Sequence, residues 1–530
     1  MLGHNADIVA MSVYTDILVT LGADSIIKVW KINNEEYIYP LLNIFMDKEN
    51  EFVIWTEEGY FSVSSPEALK YITWHMNQGY DKEAIRYDIG KFYDVFFRPD
   101  LVKLKLQGED ISKYTQGLTV KDALKNPPPE VKIINVDKKQ IVNKNNLAYA
   151  AQIDTKKDNV NVKFNVSDFG GGVGTIRVYQ EGKLIKTIGK SEIDKVIANV
   201  DTKIEEQEKE KKLSEYQQLA LSKAINGKNL KIDEQITNSF DKELIVNNPG
   251  DYEIDVPLKN GLNQISIEAF NKTNTITSFR SIVNINANIP EKKPKLYAIV
   301  AGVNNFESNY GNSLQDLKYA VNDAKSISDI ALEAKEKIFD DVEIIYLTDN
   351  QVTKENIEQA FEKISKKASL EDTILFYIST HGISANSKFY LLPSNNAQLT
   401  NLIEFNEIFK KSSELKSLNQ IFMIDACQSG SANDIASAVY DSRASVLARS
   451  SGIHLLSAST SGTYAFENNE YKHSNFTYQI LNAIKNNELD RNKDGFISII
   501  ELSNKLKSLD SKEKQFPVIQ NIGNDIKLNK

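Results

Sequence analysis

Cysteine is almost absent. A single Cys, at position 427 of 530 residues, excludes a disulfide framework within the chain and suits a reducing compartment. Long apolar runs are missing too. No stretch approaches the roughly 18 uncharged apolar residues of a membrane helix, so no membrane partner is expected. Basic charge is in short supply: 63 Lys and Arg face 72 Asp and Glu, a formal net charge of −9. Phosphate-binding surfaces need a basic face, so nucleic acid is not an expected partner. The first residues, Met1-Leu2-Gly3-His4-Asn5-Ala6-Asp7, show no basic segment leading into an apolar one. No signal peptide is read there, and the expected location is the cytoplasm. Histidines number only five, which keeps the set of candidate bases small.

What the chain does have is two short motifs, Ser379-Thr380-His381-Gly382 and Asp425-Ala426-Cys427-Gln428-Ser429-Gly430. Each follows an apolar run that reads as a buried strand, Thr373-Ile374-Leu375-Phe376-Tyr377-Ile378 and Gln420-Ile421-Phe422-Met423-Ile424. Both reactive side chains therefore fall at carboxyl ends of strands, where open α/β sheets place their sites. A thiol and an imidazole brought together there are a nucleophile and its base. Taken singly, Cys427 reads as a buried apolar thiol and His381 as a satisfied core histidine; the joint placement favours chemistry. Among the other histidines, His454 sits inside the apolar run Ile453-His454-Leu455-Leu456-Ser457 and reads as structural, whereas His473 lies in a loop and stays open.

Thr-His-Gly after one strand and Asp-Ala-Cys-x-Ser-Gly after the next resembles the caspase, metacaspase and paracaspase clan of cysteine endopeptidases. The caspase pattern Gln-Ala-Cys-x-Gly, with a histidine about 50 residues upstream, is similar. The resemblance covers roughly residues 294–510. Leu296-Tyr297-Ala298-Ile299-Val300-Ala301-Gly302-Val303 looks like the family's first strand, Leu317-Lys318-Tyr319-Ala320-Val321-Asn322-Asp323-Ala324 like the lead-in to its first helix, and Phe389-Tyr390-Leu391-Leu392-Pro393 like the strand after His-Gly. It implies a protease that needs no cofactor for its chemistry. The Cys427 thiolate would attack, His381 would shuttle the proton, and the backbone N–H groups of Gly382 and Cys427 would receive the oxyanion.

The acids bear on specificity. Asp425 lies two residues before Cys427, so along an extended segment both side chains project to one face. A carboxylate there disfavours an acidic substrate residue and favours Arg or Lys before the cut bond. Metacaspases and paracaspases carry Asp at this position and caspases Gln; the same families place a second acid at the position of Asp323. The alternatives are a carboxylate bonded to loop amides for Asp425 and a surface charge in a helix's first turn for Asp323. Between the nucleophile and the next strand, Gln428–Ser451 holds Arg443 and Arg449, candidate sites of self-cleavage; the other reading is an uncut loop containing a helix. From another class altogether, the rival is a catalytically silent caspase fold kept as a scaffold.

The whole chain reads as multidomain. Residues 1–33 resemble one WD-repeat blade, from Gly3-His4 to Trp30, or else form an ordinary hairpin; one blade cannot close a propeller. Residues 34–125 read as a mixed segment of unknown role, and Asn126-Pro127-Pro128-Pro129 as a stiff linker. Residues 130–288 alternate apolar and polar like a β-sandwich and resemble an immunoglobulin-like module. A charged helical insertion interrupts it at about 191–224, either a solvated face or a docking arm. The amino-terminal modules are candidates for binding a regulatory protein. From 294 to 530, strands alternate with amphipathic helices at 322–333, 353–368, 402–411 and 476–487, the pattern of a doubly wound α/β sheet. Near its end, Asp490-Arg491-Asn492-Lys493-Asp494-Gly495-Phe496-Ile497-Ser498-Ile499-Ile500-Glu501 fits D-x-[DN]-x-[DN]-G-x5-E and resembles an EF-hand loop. Asp490, Asn492, Asp494, the Phe496 carbonyl, Ser498 and Glu501 would hold Ca²⁺. The alternative is a plain connector between helices.

Overall fold

The computed structural model describes residues 3–32, 39–49, 51–77, 79–81, 83–141, 151–191, 245–309, 314–385, 388–428, 444–458, 467–485, 489–507 and 518–529. The helical insertion, from residue 192 on, and Arg443 lie outside them.

The carboxyl-terminal region is built on one sheet. Its strands are β1 (Leu296–Gly302), β2 (Val342–Thr348), β3 (Thr373–Ala385), β4 (Lys388–Leu391), β5 (Ile403–Glu404), β6 (Asn419–Gln428), β7 (His454–Ser457) and β8 (Val518–Gln520). The spatial order is β2-β1-β3-β6-β7-β8, with β4 on the end of β3 and β5 beyond it. Neighbours from β2 to β7 run parallel, and β8 is antiparallel to β7. All seven residues of β1 are buried, which requires cover on both faces.

Helices supply that cover: α1 (Ala320–Glu333), α2 (Lys354–Ser365), α3 (Phe405–Ser413), α4 (444–451), α5 (Asn475–Lys485) and α6 (Ile499–Lys507). Side chains alternate along a strand. Ala298, Val300, Tyr377 and Met423 therefore pack with α1, α5 and α6 on one face. Ile299, Phe376, Ile378 and Phe422 pack with α2, α3 and α4 on the other. The helix expected from Leu402 starts at Phe405, because Ile403–Glu404 is drawn into strand pairing with β4.

Upstream lies a β-sandwich. One sheet contains Glu130–Val136, Lys139–Gln140, Asn159–Ser167 and Gly250–Pro257; the other contains Ala151–Thr155, Ile176–Gln180, Lys183–Ile188, Gly261–Ala269 and Ser281–Ala287. They close on a shared core that includes Val162, Phe164, Val178, Ile265 and Val283. At the amino-terminal end, six consecutive antiparallel strands from Ile8–Tyr14 to Phe61–Val63 form a single sheet. That sheet runs across position 33, where the sequence puts a boundary. The reason is that Ile26–Lys31 pairs with Pro40–Met46, which satisfies its backbone groups. Within it, Thr20 Oγ1 accepts the Trp30 Nε1–H and lies 2.8 Å from His4 Nε2. Short helices of residues 66–124 cover the sheet around an aromatic core with Tyr60, Phe61, Phe92, Tyr93, Phe96 and Phe97.

Candidate active site

The central pair of the sheet sets the geometry. β3 and β6 are parallel neighbours from Thr373 opposite Asn419 to Gly382 opposite Gln428, and His381 stands opposite Cys427. A one-residue slip would turn the buried set of either strand to the wrong face, so the same alternation that fills the two cores fixes this register. Gly382 is next in line, and β4 pairs back onto it through Leu391.

His381 is held from outside the sheet. Its Nε2 lies 2.8 Å from the Gln315 carbonyl oxygen. A carbonyl only accepts, so Nε2 carries the hydrogen and Nδ1 the lone pair. Nδ1 is buried with no hydrogen-bond partner among the described residues. The Phe306 ring packs beside the imidazole, centroids 5.0 Å apart. Burial pushes the imidazole's pKa down, against the raising influence of the Gln315 carbonyl and the Asp316 charge. Burial thus favours the neutral imidazole, and no described residue hydrogen-bonds to its Nδ1 lone pair.

The two acids come together in a buried cluster. Asp425, opposite Ser379 in the register, is 4 % exposed, and Asp323 is 1 % exposed. The alternative of a surface charge at Asp323 therefore fails: the carboxylate is in the first turn of α1 but faces inward. Asp425 Oδ2 accepts from Thr477 Oγ1 at 2.7 Å, from Tyr377 OH at 3.4 Å and from Ser474 Oγ. Its partners are hydroxyls, not the loop amides the sequence allows for. His473 Nδ1 lies 2.6 Å from Asp323 Oδ1, and the Ser474 N–H donates to Asp323 Oδ2 at 3.1 Å. Ser474 thus bridges the two carboxylates while its Oγ also accepts the Thr477 N–H at 2.9 Å, at the start of α5. Burial first, then the neighbouring Asp323 charge, push Asp425 up to about 7 against its hydroxyl bonds. Asp323 is raised as well, by burial, against the lowering contact of His473.

Sequence reasoning missed Ser474, Thr477 and Tyr377, and left His473 open. The available signal was Ser474-x-x-Thr477 at a helix start. His454 is buried, its Nε2 2.8 Å from the Asn524 carbonyl.

The elevated Asp425 predicts a pH effect on stability. The fold holds the neutral carboxyl better than the charged one. That contribution is complete below the ordinary carboxylate range and is lost as pH rises through about 7. Between pH 6 and pH 8 the melting temperature of the substrate-free protein should fall, and Asp425→Asn should fall less across the same interval (both pH values are about one unit from the midpoint). Parallel melting curves for the two proteins would refute this.

Two other expected sites lie away from this cluster. Arg449 lies in helix α4, half-buried, with its guanidinium 4.8 Å from the Tyr93 ring centroid. A peptide bond in a packed helix is not presented as an extended substrate, so this conformation does not offer Arg449 for cleavage. The loop 490–501 holds its own oxygens. Asp490 accepts the Asp494 and Gly495 N–H groups at 3.1 and 2.9 Å, Asn492 Oδ1 accepts Asp494 N–H at 2.9 Å, and Asp494 accepts Phe496 N–H at 2.9 Å. Gly495 has φ +83°, the turn that position demands. Glu501 accepts the Ser498 N–H at 3.1 Å while Ser498 Oγ accepts the Glu501 N–H at 3.3 Å, a capping box at the start of α6. Ile497–Ser498 pairs with Lys527–Asn529, and Lys527 Nζ is 3.6 Å from Asp494 Oδ2. Among the described residues, no three His, Cys, Asp or Glu side chains converge as a metal-binding group. Nor is any of the described helices long and apolar enough to cross a membrane.

Residues 295–524 match the family model of the caspase domain. The carboxyl-terminal region thus carries a caspase-fold domain, and mainly antiparallel sheets precede it. Solved structures give more distant likenesses. Protein GSU0716 from Geobacter sulfurreducens is 14% identical over 44% of this chain and 94% of its own, with a TM-score of 0.32. The Drosophila initiator caspase Dronc is 11% identical over 44% of this chain and 82% of its own, with a TM-score of 0.29. The fibronectin(III)-like modules of Clostridium thermocellum CbhA are 12% identical over 31% and 47%, with a TM-score of 0.15. No curated protein matches the chain.

Proposed function

We propose that the protein is a cysteine endopeptidase that cuts proteins after Arg or Lys through a Cys427–His381 dyad. The observation that carries this reading is the β3/β6 register, in which His381 and Cys427 are partners, together with the unshared Nδ1 of His381. In the proposed reaction, His381 Nδ1 takes the thiol proton of Cys427, and the thiolate attacks the peptide carbonyl carbon. The Gln315 carbonyl keeps its hydrogen bond to the imidazolium that forms. Backbone N–H groups of Gly382 and Cys427 receive the oxyanion. Collapse breaks the C–N bond, and the amine leaves with the proton from His381. Water, deprotonated by the same nitrogen, then attacks the acyl-enzyme thioester, releasing the carboxylate product and the thiol. Asp425 and Asp323 would receive the basic side chain. An open cavity of about 380 Å³ beside Phe306, with Glu307 and Asp316 on its wall, would favour further basic residues nearby. A thiol-reactive peptidyl-arginine probe tests the reading. It should label the parent protein at Cys427; labelling that survives Cys427→Ala, or none in a protein that cleaves arginyl peptides, would overturn it.

Self-processing at Arg443, control by a protein docked on the amino-terminal modules, and calcium at 490–501 belong to the same proposal. Calcium has a direct test. Glu501→Ala would remove the capping box as well as a ligand, so it cannot separate the two roles. Gln at N3 still serves a capping box, but lacks the bidentate carboxylate that Ca²⁺ prefers. Glu501→Gln gives up the Oε1 acceptor that holds the Arg491 N–H at 2.7 Å, so it should melt somewhat lower than the parent without calcium, and it should lose the calcium-induced rise that the parent shows and millimolar magnesium does not reproduce. If saturating calcium leaves the parent's melting temperature unchanged, the loop is a connector.

A further inference from the structure

The three parts of the molecule meet around a cavity of about 260 Å³ that the protease reading does not use. The amino-terminal module, the sandwich and helix α4 of the caspase domain each contribute to its wall. Five cationic side chains line it: Lys70, Lys91, Arg177, Arg280 and Arg449. Three acids oppose them, Asp88, Asp94 and Glu268, which leaves a surplus of two positive charges.

Two of the three acids are already committed. Asp94 pairs with Arg177 at 2.6 Å, and Glu268 takes Arg280 Nε at 2.8 Å and the Tyr179 hydroxyl at 2.9 Å. An arginine has five N–H donors. Arg280 uses its Nε on Glu268, and both arginines stack their planes on rings, Arg177 on Phe270 at 4.7 Å and Arg280 on Tyr179 at 4.3 Å. That arrangement holds each guanidinium in place. Lys91 and Arg449 have no carboxylate within ion-pair distance among the described residues. Lys91 is tied by a 2.7 Å bond from Nζ to the Ser278 carbonyl, and Arg449 rests on Tyr93. Burial pushes Lys91 down to about 8, and the Arg280 and Arg449 charges add to that, against the raising effect of Glu268 and Asp88. The cavity is thus a place where positive charge has accumulated without a matching anion.

We infer that this junction is a binding site for a phosphate-bearing dianion. Two surplus charges call for a dianion. Guanidinium groups fixed by stacking suit the forked hydrogen bonds of a phosphate group, and the lysines supply point charges beside them. The walls are polar, with Tyr179 and Leu69 the main apolar lining. The volume leaves room for more than inorganic phosphate, such as pyrophosphate or a phosphate ester. Since α4 supplies Arg449 and the first two modules supply the rest, the bound anion would tie all three together.

The experiment uses the full chain carrying Cys427→Ala, so that proteolysis cannot interfere. Inorganic phosphate, pyrophosphate and a nucleoside monophosphate are titrated by calorimetry at constant ionic strength, with chloride and acetate as controls. The expected result is saturable one-to-one binding of at least one phosphate species and none of acetate. Arg449→Gln and Lys91→Met should each weaken it roughly tenfold or more, as loss of one charge-assisted bond requires. Inorganic phosphate alone binding points to a free-anion site, and tighter nucleotide binding to an ester. Absence of saturable binding by all three, or binding unchanged in both variants, overturns the inference. Should one variant fail to fold, the other and the parent titration still decide.

Discussion

Cys427→Ala should reduce hydrolysis of peptidyl-arginine substrates by about 10⁴-fold or more, with the melting temperature close to the parent's. Members of a catalytic unit act together, so losing one removes nearly the whole advantage of the set. No second thiol can substitute, because the chain has none. His381→Ala should be almost as severe, and the double variant little worse than either single one. The Gln315 carbonyl sharpens this prediction. His381→Gln would place an amide N–H near the Nε2 position, keeping a donor for that carbonyl while removing the lone pair at Nδ1, so it should be inactive despite a near-native local structure. Rates measured on the purified, folded variants check the set. Residual activity in Cys427→Ala beyond about one part in 10⁴ would mean that the scissile bond is attacked by something else.

That both motifs could be found in the sequence has a physical cause. β1, β3 and β6 lie in the middle of a parallel sheet, buried on both faces, so each must read as a continuous apolar run. The polar or reactive residue that ends such a run stands out. Helices α1, α2 and α5 were legible for the matching reason: each covers a sheet with one face only, which imposes the 3.6-residue period. The remainder was decided by contacts distant in sequence. Asp323 and His473 are 150 residues apart, and nothing local distinguishes an acid in a helix's first turn that faces water from one that faces a buried serine. Arg449 looked like a cleavable basic residue in a long linker; that it stacks on Tyr93 depends on how the amino-terminal module docks. The break expected at residue 33 came from treating a repeat motif as a unit, whereas hydrogen-bonding demand carries the sheet on to Val63. Glu501 carries two legible signals at once, an EF-hand position twelve and an S-x-x-E capping box; the connector reading of this loop rests on the second, which the metal motif obscures.

Asp425→Asn should lower kcat/KM for arginyl substrates by about 30-fold to several thousand-fold, while hydrolysis after a neutral residue such as glutamine changes little. The range follows from about 2–5 kcal/mol for removing one partner of a buried, hydrogen-bonded charge pair. The pH dependence separates this from a structural effect. In the free protein Asp425 titrates at about 7, so near neutrality part of the population carries a neutral carboxyl. A guanidinium entering beside it favours the carboxylate and draws the proton off. kcat/KM reports the free enzyme's titrations, so preference for arginine over glutamine should increase as pH rises through about 7. Taking the ratio of the two substrates cancels the titration of Cys427 and His381, which both reactions share. Asparagine cannot ionise, so the ratio in Asp425→Asn should be small and should lose most of its rise with pH, with only Asp323 of the two acids left to titrate. His473→Gln supplies a second arm: it removes the imidazole that lies 2.6 Å from Asp323 Oδ1 without touching Asp425, leaving Asp323 without that competitor for the substrate's basic side chain, so arginine preference should persist or increase. A parent protein that prefers aspartate before the cut bond, or an arginine-to-glutamine ratio identical in parent and Asp425→Asn, would refute the assignment of these acids to the substrate's basic side chain.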